Sequence, residues 1–216
     1  MNNNSQVQRL YTNRADFYER LFINLLGWGK ELETFFWKSD YVQPNIKVLD
    51  AGCGSGIVTK TLFKLARRKD VGGIQFHAFD ITQNMLEVFQ QWITKQGSKN
   101  IEIQQADVLE IDALPPYWQD YDLIVVSAML EYLPKDKVEY ALKNLRQLLE
   151  TGGLLLLFIT KRNFITRWLA EKWWKTNLYD EQEIGTLLNS AGFVKSEFKR
   201  LSSGWASSIL AIEAKM

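Results

Sequence analysis

The residues most able to do chemistry lie where an apolar run meets a glycine-rich turn. The run Val48–Leu49 ends in Asp50, and glycines follow at positions 52, 54 and 56. Glycine lets the backbone bend sharply, and without a Cβ it lets a ligand lie against main-chain N–H groups. The spacing G-x-G-x-G differs from the G-x-G-x-x-G fingerprint of dinucleotide sites. Because the Asp50 carboxylate would repel a pyrophosphate and attract a cation, the turn predicts a site for a positively charged nucleoside.

Polar residues end three further apolar runs: Asp80, Asp107 and Ser127. In an open parallel sheet, the carboxyl ends of the strands line the crevice where ligands bind. Carboxylates at equivalent ends, with no metal-ligand partners beside them, favour hydrogen bonding to a polar and partly cationic ligand. The alternative is that each aspartate only caps the helix that follows, which is a common use of Asp after a strand.

The elements that must position these residues follow from alternating sequence patterns. Apolar runs predict strands over Ile46–Asp50, Ile74–Asp80, Ile101–Asp107, Tyr121–Ser127 and Leu154–Thr160, and helical periodicity covers Ile57–Arg68, Gln83–Lys95 and Lys137–Leu149. Strands that alternate with helices of this length predict crossover units and a parallel sheet. Gly152 and Gly153 are predicted to close the third of these helices and to turn the chain into the fifth strand.

The pattern changes after the fifth strand. A helix is predicted over Asp180–Ala191, with Asp180 as its cap and Gly192 as its stop. Two closing strands are predicted at Phe193–Leu201 and Ser207–Ala214. Such a pair at the edge of a parallel sheet would be antiparallel. We therefore expect an α/β fold with a mostly parallel seven-stranded sheet and an antiparallel strand near one edge.

The amino-acid composition mainly argues against several classes of protein and site. The chain has 216 residues and a net charge of +1, which fits one large domain and demands no acidic or nucleic-acid partner. One cysteine (Cys53) and one histidine (His77) allow no internal disulfide and argue against a metal site and most hydrolase triads. No apolar run approaches the ~20 residues that span a bilayer. The first residues lack the features of a signal peptide, so we expect a cytoplasmic protein.

These segments together resemble the class I S-adenosylmethionine-dependent methyltransferases, in particular the small single-domain type that acts on small molecules or lipids. The likeness runs from about residue 11 to the end and is strongest over Lys47–Thr160. It rests on Val48–Gly56, Phe79–Thr82 with Met85 and Leu86, Ala106–Val108, Tyr121–Leu130 and Gly152–Leu154. It implies a Rossmann-like three-layer sandwich with helices on both faces of the sheet. It also implies S-adenosyl-L-methionine as cofactor and S-adenosyl-L-homocysteine as product.

The resemblance also implies a role for each site residue. Asp50 and the turn residues Ala51, Gly52, Gly54 and Gly56 would hold the methionyl part, and Asp80 would accept both ribose hydroxyls. A carboxylate suits a vicinal diol because it offers two acceptor oxygens. The remaining cofactor contacts would be Ile81 and Met85 on the adenine or ribose, Asp107 and the N–H of Val108 on the adenine, and Ser127 and Met129 where methyl group and acceptor meet.

A catalytic base is needed only if the acceptor must lose a proton. Relatives often carry a histidine after the fourth strand, whereas this chain has Glu131 and Tyr132 there. Either residue could act as a base or position a substrate, and either could only cap or pack the following turn. Tyr11 is a third candidate, as an early tyrosine that closes the pocket. We expect Cys53 and His77 to be packing residues.

The resemblance divides one domain, residues 1–216, into three parts. Residues 1–40 would be a helical lid, residues 41–160 the cofactor-binding core, and residues 161–216 a variable substrate segment with the closing strands. Aromatic residues crowd Tyr11–Trp37 and Phe164–Trp174. They predict a small, hydrophobic or aromatic acceptor that is methylated on O, N or C, unless they only pack the helices onto the sheet.

Two other functions stay open. The mixture of Trp, Lys and Arg in Lys161–Lys175 is typical of an interfacial helix, which would fit a lipid or quinone methyltransferase at the membrane surface. The chain could also be a cofactor-binding regulator without transfer activity. A nucleic-acid methyltransferase is disfavoured, because no concentrated basic face and no Asn/Asp-Pro-Pro-Tyr/Phe tetrapeptide is present.

Overall fold

A computed structural model describes residues 27–163, 166, 176–201 and 204–216. The chain divides into two compact units, Met1–Pro115 and Pro116–Met216. Tyr11 and nearly all of Phe164–Trp174 lie outside the described residues, so their predicted roles are not tested.

The first unit contains three strands and three helices in its described part. They are α1 (Trp28–Trp37), β1 (Lys47–Ala51), α2 (Ile57–Arg68), β2 (Gln75–Asp80), α3 (Gln83–Gln96) and β3 (Ile101–Gln105). The strand order is β3-β2-β1, and both pairs are parallel. Helix α1 packs on α2 and buries Trp28, Leu32 and Phe36, which are four residues apart and therefore share one face. Those two aromatic residues of the predicted lid are thus part of the core.

The second unit contains the other strands. Its elements are β4 (Tyr121–Ser127), α4 (Lys135–Leu148), β5 (Leu149–Thr160), α5 (Glu181–Ser190), β6 (Lys195–Lys199) and β7 (Ile209–Lys215). The strand order is β4-β5-β7-β6, with β4 parallel to β5 and β7 antiparallel to both of its neighbours. The described residues thus carry seven strands of a mixed sheet with one antiparallel strand near an edge, which confirms the predicted fold class.

The predicted boundary at Gly152 and Gly153 is wrong. Gly152 and Gly153 do not close α4, which already ends at Leu148; they lie inside β5. The register between β4 and β5 shifts at this point. A Cβ on Gly153 would lie 2.5 Å from the Tyr121 carbonyl oxygen, so glycine lets the two strands approach each other.

The start of α5 confirms a predicted cap. The Asp180 carboxylate accepts a hydrogen bond from the N–H of Glu183 at 2.9 Å, and the Glu183 carboxylate accepts from the N–H of Asp180 at 3.0 Å. This reciprocal pair is a capping box. In the part of the chain that the structure describes, no helix is long and apolar enough to cross a bilayer.

Candidate functional site

The turn between β1 and α2 follows a path that glycine allows. Gly52, Gly54 and Gly56 have φ angles of 71°, 52° and 86°, in the left-handed region that side chains disfavour. A Cβ on Gly56 would lie 2.5 Å from three ring atoms of Phe89, so no larger residue fits there without displacing that ring. The N–H of Gly52 donates to the Phe79 carbonyl at 2.9 Å, which ties the turn to the end of β2.

Asp50 is buried beneath this turn. Its Oδ2 accepts hydrogen bonds from the Thr59 hydroxyl at 2.7 Å and from the Thr59 N–H at 3.0 Å. Burial raises the pKa of Asp50 to about 6, against the opposing effect of Thr59, and the nearby charge of Asp80 raises it further. Asp50 therefore holds the first turn of α2 through Thr59, although the N-cap residue of that helix is Gly56. Thr59 was missed, because nothing local marks a partner nine residues away. Beside Asp50, Ala51 ends β1 and is fully buried.

Asp80 joins two loops at the end of β2. Its Oδ1 accepts from the N–H of Thr82 and its Oδ2 from the N–H of Gly54, both at 2.8 Å. Burial raises the pKa of Asp80, while these N–H donors oppose the rise. The side chain is only partly buried. A carboxylate oxygen can accept more than one hydrogen bond, so Asp80 can also accept a hydrogen bond from a ligand.

Apolar side chains lie next to this pair. Met85, in the first turn of α3, is buried, and its methyl group is 3.3 Å from where a Cβ on Gly54 would lie. Ile81 is half-buried directly after Asp80. The structure thus brings the glycine turn, Asp80 and Met85 together, as the sequence predicted.

Asp107 and Val108 lie in the loop beyond β3. The strand ends at Gln105, two residues before the predicted end. The Oδ1 of Asp107 accepts from the N–H of Leu109 at 2.9 Å, and the Val108 side chain is buried. The N–H of Ala106 donates to the Asp80 carbonyl at 3.1 Å, so this loop begins next to the end of β2.

Cys53 and His77 both behave as packing residues. Burial raises the pKa of the Cys53 thiol well above its ordinary value, which keeps it uncharged and a poor nucleophile. His77 lies within β2, and burial lowers its pKa to about 4.

In the second unit, the chain turns sharply after Ser127, the last residue of β4. Ala128 adopts a φ of 54°, a strained conformation for a residue with a Cβ, and its N–H donates to the Phe158 carbonyl at 3.0 Å. Met129 follows with a half-buried side chain. This turn leads into a short 3₁₀ helix over Leu130–Tyr132.

Glu131 lies inside the second unit, with 3% of its surface exposed. Its Oε1 accepts from the Thr160 hydroxyl at 2.9 Å and from the Thr160 N–H at 3.4 Å. Its Oε2 is buried without a hydrogen-bond partner. Burial raises the pKa of Glu131 to about 7. Tyr132, the other candidate in this turn, is half-buried.

Tyr179 is a residue that the sequence analysis missed. It forms a parallel bridge with Lys161, directly after Thr160, and its hydroxyl is buried without a hydrogen-bond partner. Burial raises the pKa of Tyr179 to about 12, and the charges of Glu131 and Glu183 contribute. Thr160 could have been found by the rule that selected Asp80, since it is a polar residue at the end of an apolar strand; Tyr179, in a loop, carries no such signal.

Comparison with known proteins identifies the family. Residues 48–153 match the family described as "Methyltransferase domain". The carboxy-S-adenosyl-L-methionine synthase of Stutzerimonas stutzeri (strain A1501) is 29% identical over 119 residues, which cover 55% of this chain and 47% of that protein. The malonyl-[acyl-carrier protein] O-methyltransferase of Bacillus cereus is 26% identical over 157 residues, which cover 72% of this chain and 53% of that protein. The chain thus spans about half the length of the curated relatives it matches.

Solved structures agree on the fold. Magnesium protoporphyrin IX methyltransferase (ChlM) from Synechocystis PCC 6803, with bound S-adenosylmethionine, superposes with a TM-score of 0.74 at 17% identity, covering 100% of this chain and 98% of the other. At this identity the match supports the Rossmann-like fold alone. With the family match and the glycine turn after β1, it shows that the chain belongs to the class I S-adenosylmethionine-dependent methyltransferases.

Proposed function

We propose that this protein transfers the methyl group of S-adenosylmethionine, by in-line displacement, to an O, N or C atom of a small hydrophobic or aromatic molecule in the cytoplasm. The observation that carries the proposal is the position of Asp80. Its carboxylate is fixed by the N–H groups of Gly54 and Thr82 and keeps acceptor capacity beside the glycine turn. A vicinal diol, such as that of a ribose, fits this acceptor.

The other cofactor contacts follow from the same unit. Helix α2 has no acidic residue in its first turn, so the positive end of its dipole favours the cofactor's carboxylate. Burial raises the pKa of Asp50, and the nearby charge of Asp80 adds to the rise; a cationic ligand would offset the repulsion between the two carboxylates. Ile81 and Met85 would contact the adenine or ribose, and the loop of Asp107 and Val108 the adenine edge.

S-adenosylmethionine supplies a methyl group on a sulfonium, which leaves as a neutral thioether. The protein has to align the acceptor and exclude water, and alignment is worth about 7–11 kcal/mol in well-oriented intramolecular reactions. Ser127 and Met129, at the end of β4, are proposed to lie beside the transferred methyl group. Glu131 is the proposed base, because a carboxyl with a pKa of about 7 suits proton transfer near neutral pH. Tyr132 and Tyr11 are proposed to position the acceptor.

The relatives do not identify the acceptor. One is named for making carboxy-S-adenosyl-L-methionine and another for methylating malonyl-[acyl-carrier protein], so these two relatives are named for different activities. The acceptor class proposed for this chain is therefore inferred from the residues of the chain itself.

Calorimetry with S-adenosylhomocysteine tests the cofactor site. Asp80→Ala should bind at least about 100-fold more weakly than wild type, since two hydrogen bonds to a charged acceptor would be lost. Asp112→Ala is the matched control, because Asp112 is exposed in the same unit. Equal affinity of Asp80→Ala and wild type would remove the cofactor assignment. Labelled product from S-adenosylmethionine and a metabolite extract would separate an enzyme from a regulator that only binds the cofactor.

A further inference from the structure

Among the described residues of the second unit, the Oε2 of Glu131 and the hydroxyl of Tyr179 are buried polar atoms without a hydrogen-bond partner. Leaving such a group unpaired in the protein interior lowers the stability of the fold. Both residues are at least 97% buried, with exposures of 3% for Glu131 and 2% for Tyr179. Buried unpaired groups are uncommon in folded proteins, and each calls for an explanation such as a bound water, an ion or a ligand.

The two atoms belong to one place in the fold. The N–H of Asn177 donates to the Glu131 carbonyl at 2.8 Å, and two residues later Tyr179 pairs with Lys161. Lys161 directly follows Thr160, whose hydroxyl holds the Oε1 of Glu131. Glu131 is therefore contacted by two other chain segments, through its backbone carbonyl and through its Oε1, and both of these segments adjoin Tyr179 or its partner Lys161. The charge of Glu131 contributes to the raised pKa of Tyr179, so the two side chains lie near each other, and each keeps a buried polar atom without a partner.

The hydrogen-bonding properties of these two groups determine which ligand group can bind to both. An ionised carboxylate only accepts hydrogen bonds, whereas a phenol both donates and accepts. A hydroxyl can donate its proton to Glu131, accept from Tyr179 through one lone pair, and keep a second lone pair free to react. An amine that accepted from Tyr179 would have no lone pair left, and a carbon nucleophile offers neither bond.

We infer that the Oε2 of Glu131 and the hydroxyl of Tyr179 form a polar subsite that binds a hydroxyl group of the methyl acceptor. This inference rests on the proposed function and narrows it to transfer onto oxygen. In the step, the acceptor's O–H bond breaks and its proton goes to Oε2 of Glu131. A lone pair of that oxygen forms the bond to the methyl carbon. The carbon–sulfur bond breaks with its electron pair on sulfur, which becomes a neutral thioether.

Binding of three aromatic probes tests the subsite without knowledge of the natural acceptor. Phenol, aniline and toluene share a ring and differ in the polar group. Their affinities for the full chain, saturated with S-adenosylhomocysteine, can be measured by ligand-observed NMR. Phenol should bind at least tenfold more tightly than toluene or aniline. Tyr179→Phe and Glu131→Gln should each weaken phenol at least fivefold and leave toluene unchanged.

One variant serves as the control, and three results would contradict the subsite. Tyr140→Phe, which changes an exposed tyrosine of α4, should alter no probe affinity. Glu131→Gln keeps an oxygen for Thr160, and thermal unfolding confirms that each variant is folded. Absence of phenol binding, equal affinities for phenol and toluene, or equal losses of both probes in the variants would overturn the subsite. If S-adenosylhomocysteine itself did not bind wild type, the proposed function would fail instead.

Discussion

Two buried carboxyl groups, one in each unit, are held by the same local arrangement. In the first unit, Thr59 donates to Asp50 through its hydroxyl at 2.7 Å and its N–H at 3.0 Å. In the second, Thr160 donates to Glu131 in the same two ways, at 2.9 Å and 3.4 Å. The second pair is longer, and it leaves Oε2 buried and unpaired.

The difference gives Asp50 a role in folding and agrees with the role in binding that we propose for Glu131. Asp50 fixes the first turn of α2, so its burial supports the turn that precedes that helix. Glu131 gains less from its partner and keeps an unsatisfied oxygen, which lowers stability. Groups kept at a cost to stability are concentrated at functional sites, where their perturbed pKa values are used.

The largest effect on stability is expected from Asp50→Ala. It would leave the hydroxyl and N–H of Thr59 unpaired and open a small cavity, so we expect a loss of about 4 kcal/mol in the free energy of unfolding. Urea denaturation at neutral pH measures it. Asp50→Asn is the matched variant, because its amide oxygen still accepts from Thr59, and it should lose much less. Similar losses in both variants would contradict the folding role of the Thr59 contacts.

The second effect is a dependence of stability on pH. The pKa of Glu131 rises from its ordinary value of 4.5 to about 7 in the folded state. Between these values the folded protein holds a proton that the unfolded chain releases, so stability falls as pH rises from about 4.5 to 7. A shift of this size corresponds to about 3 kcal/mol.

Glu131→Gln should remove that contribution and be more stable than wild type at pH 8, as measured by urea denaturation across pH. Asp50→Asn is the comparison, since the pKa of Asp50 rises only to about 6. The change in stability that Asp50→Asn removes should be complete near pH 6, one pH unit below that of Glu131→Gln. Identical pH profiles for wild type and Glu131→Gln would show that this carboxyl is not titrating as described.

The two threonines sharpen the comparison further. Valine has the shape of threonine without the hydroxyl donor, so Thr59→Val removes the shorter bond to Asp50 and should cost about 2 kcal/mol. Thr160→Val should cost about 1 kcal/mol, because its bond to Glu131 is longer and that carboxyl can take up a proton near pH 7. Unfolding measurements at pH 7 give both values. A larger loss for Thr160→Val would mean that Glu131 is held as firmly as Asp50.

Much of the frame could be predicted because its signals are local. Helix α2 and strand β4 have the predicted bounds, since helical periodicity and apolar runs need no distant partner. The glycine turn follows from the same kind of local signal. The predicted start of β5 was wrong, because the true start depends on how closely Gly153 approaches the Tyr121 carbonyl, which is a contact across the sheet.

The details of the candidate site were less accessible, because they join residues far apart in sequence. Thr160 binds a carboxyl 29 residues before it, and Tyr179 reaches the same place from a loop. The family resemblance pointed to Glu131, at the place where relatives often carry a histidine, but burial and an unpaired oxygen are properties of the folded chain. The unpaired oxygen distinguishes Glu131 from Asp50.

The smallest expected effect on stability is the most informative about function. Tyr179→Phe removes a buried hydroxyl that has no partner, so the free energy of unfolding should stay the same or rise by up to about 1 kcal/mol. Urea denaturation measures this, with the exposed Tyr140→Phe as the control of equal chemistry. A loss of about 2 kcal/mol or more would show that the hydroxyl is already satisfied in the fold. Unchanged stability together with weaker phenol binding would instead mean that the hydroxyl is retained for the acceptor, since it would contribute to binding and nothing to folding.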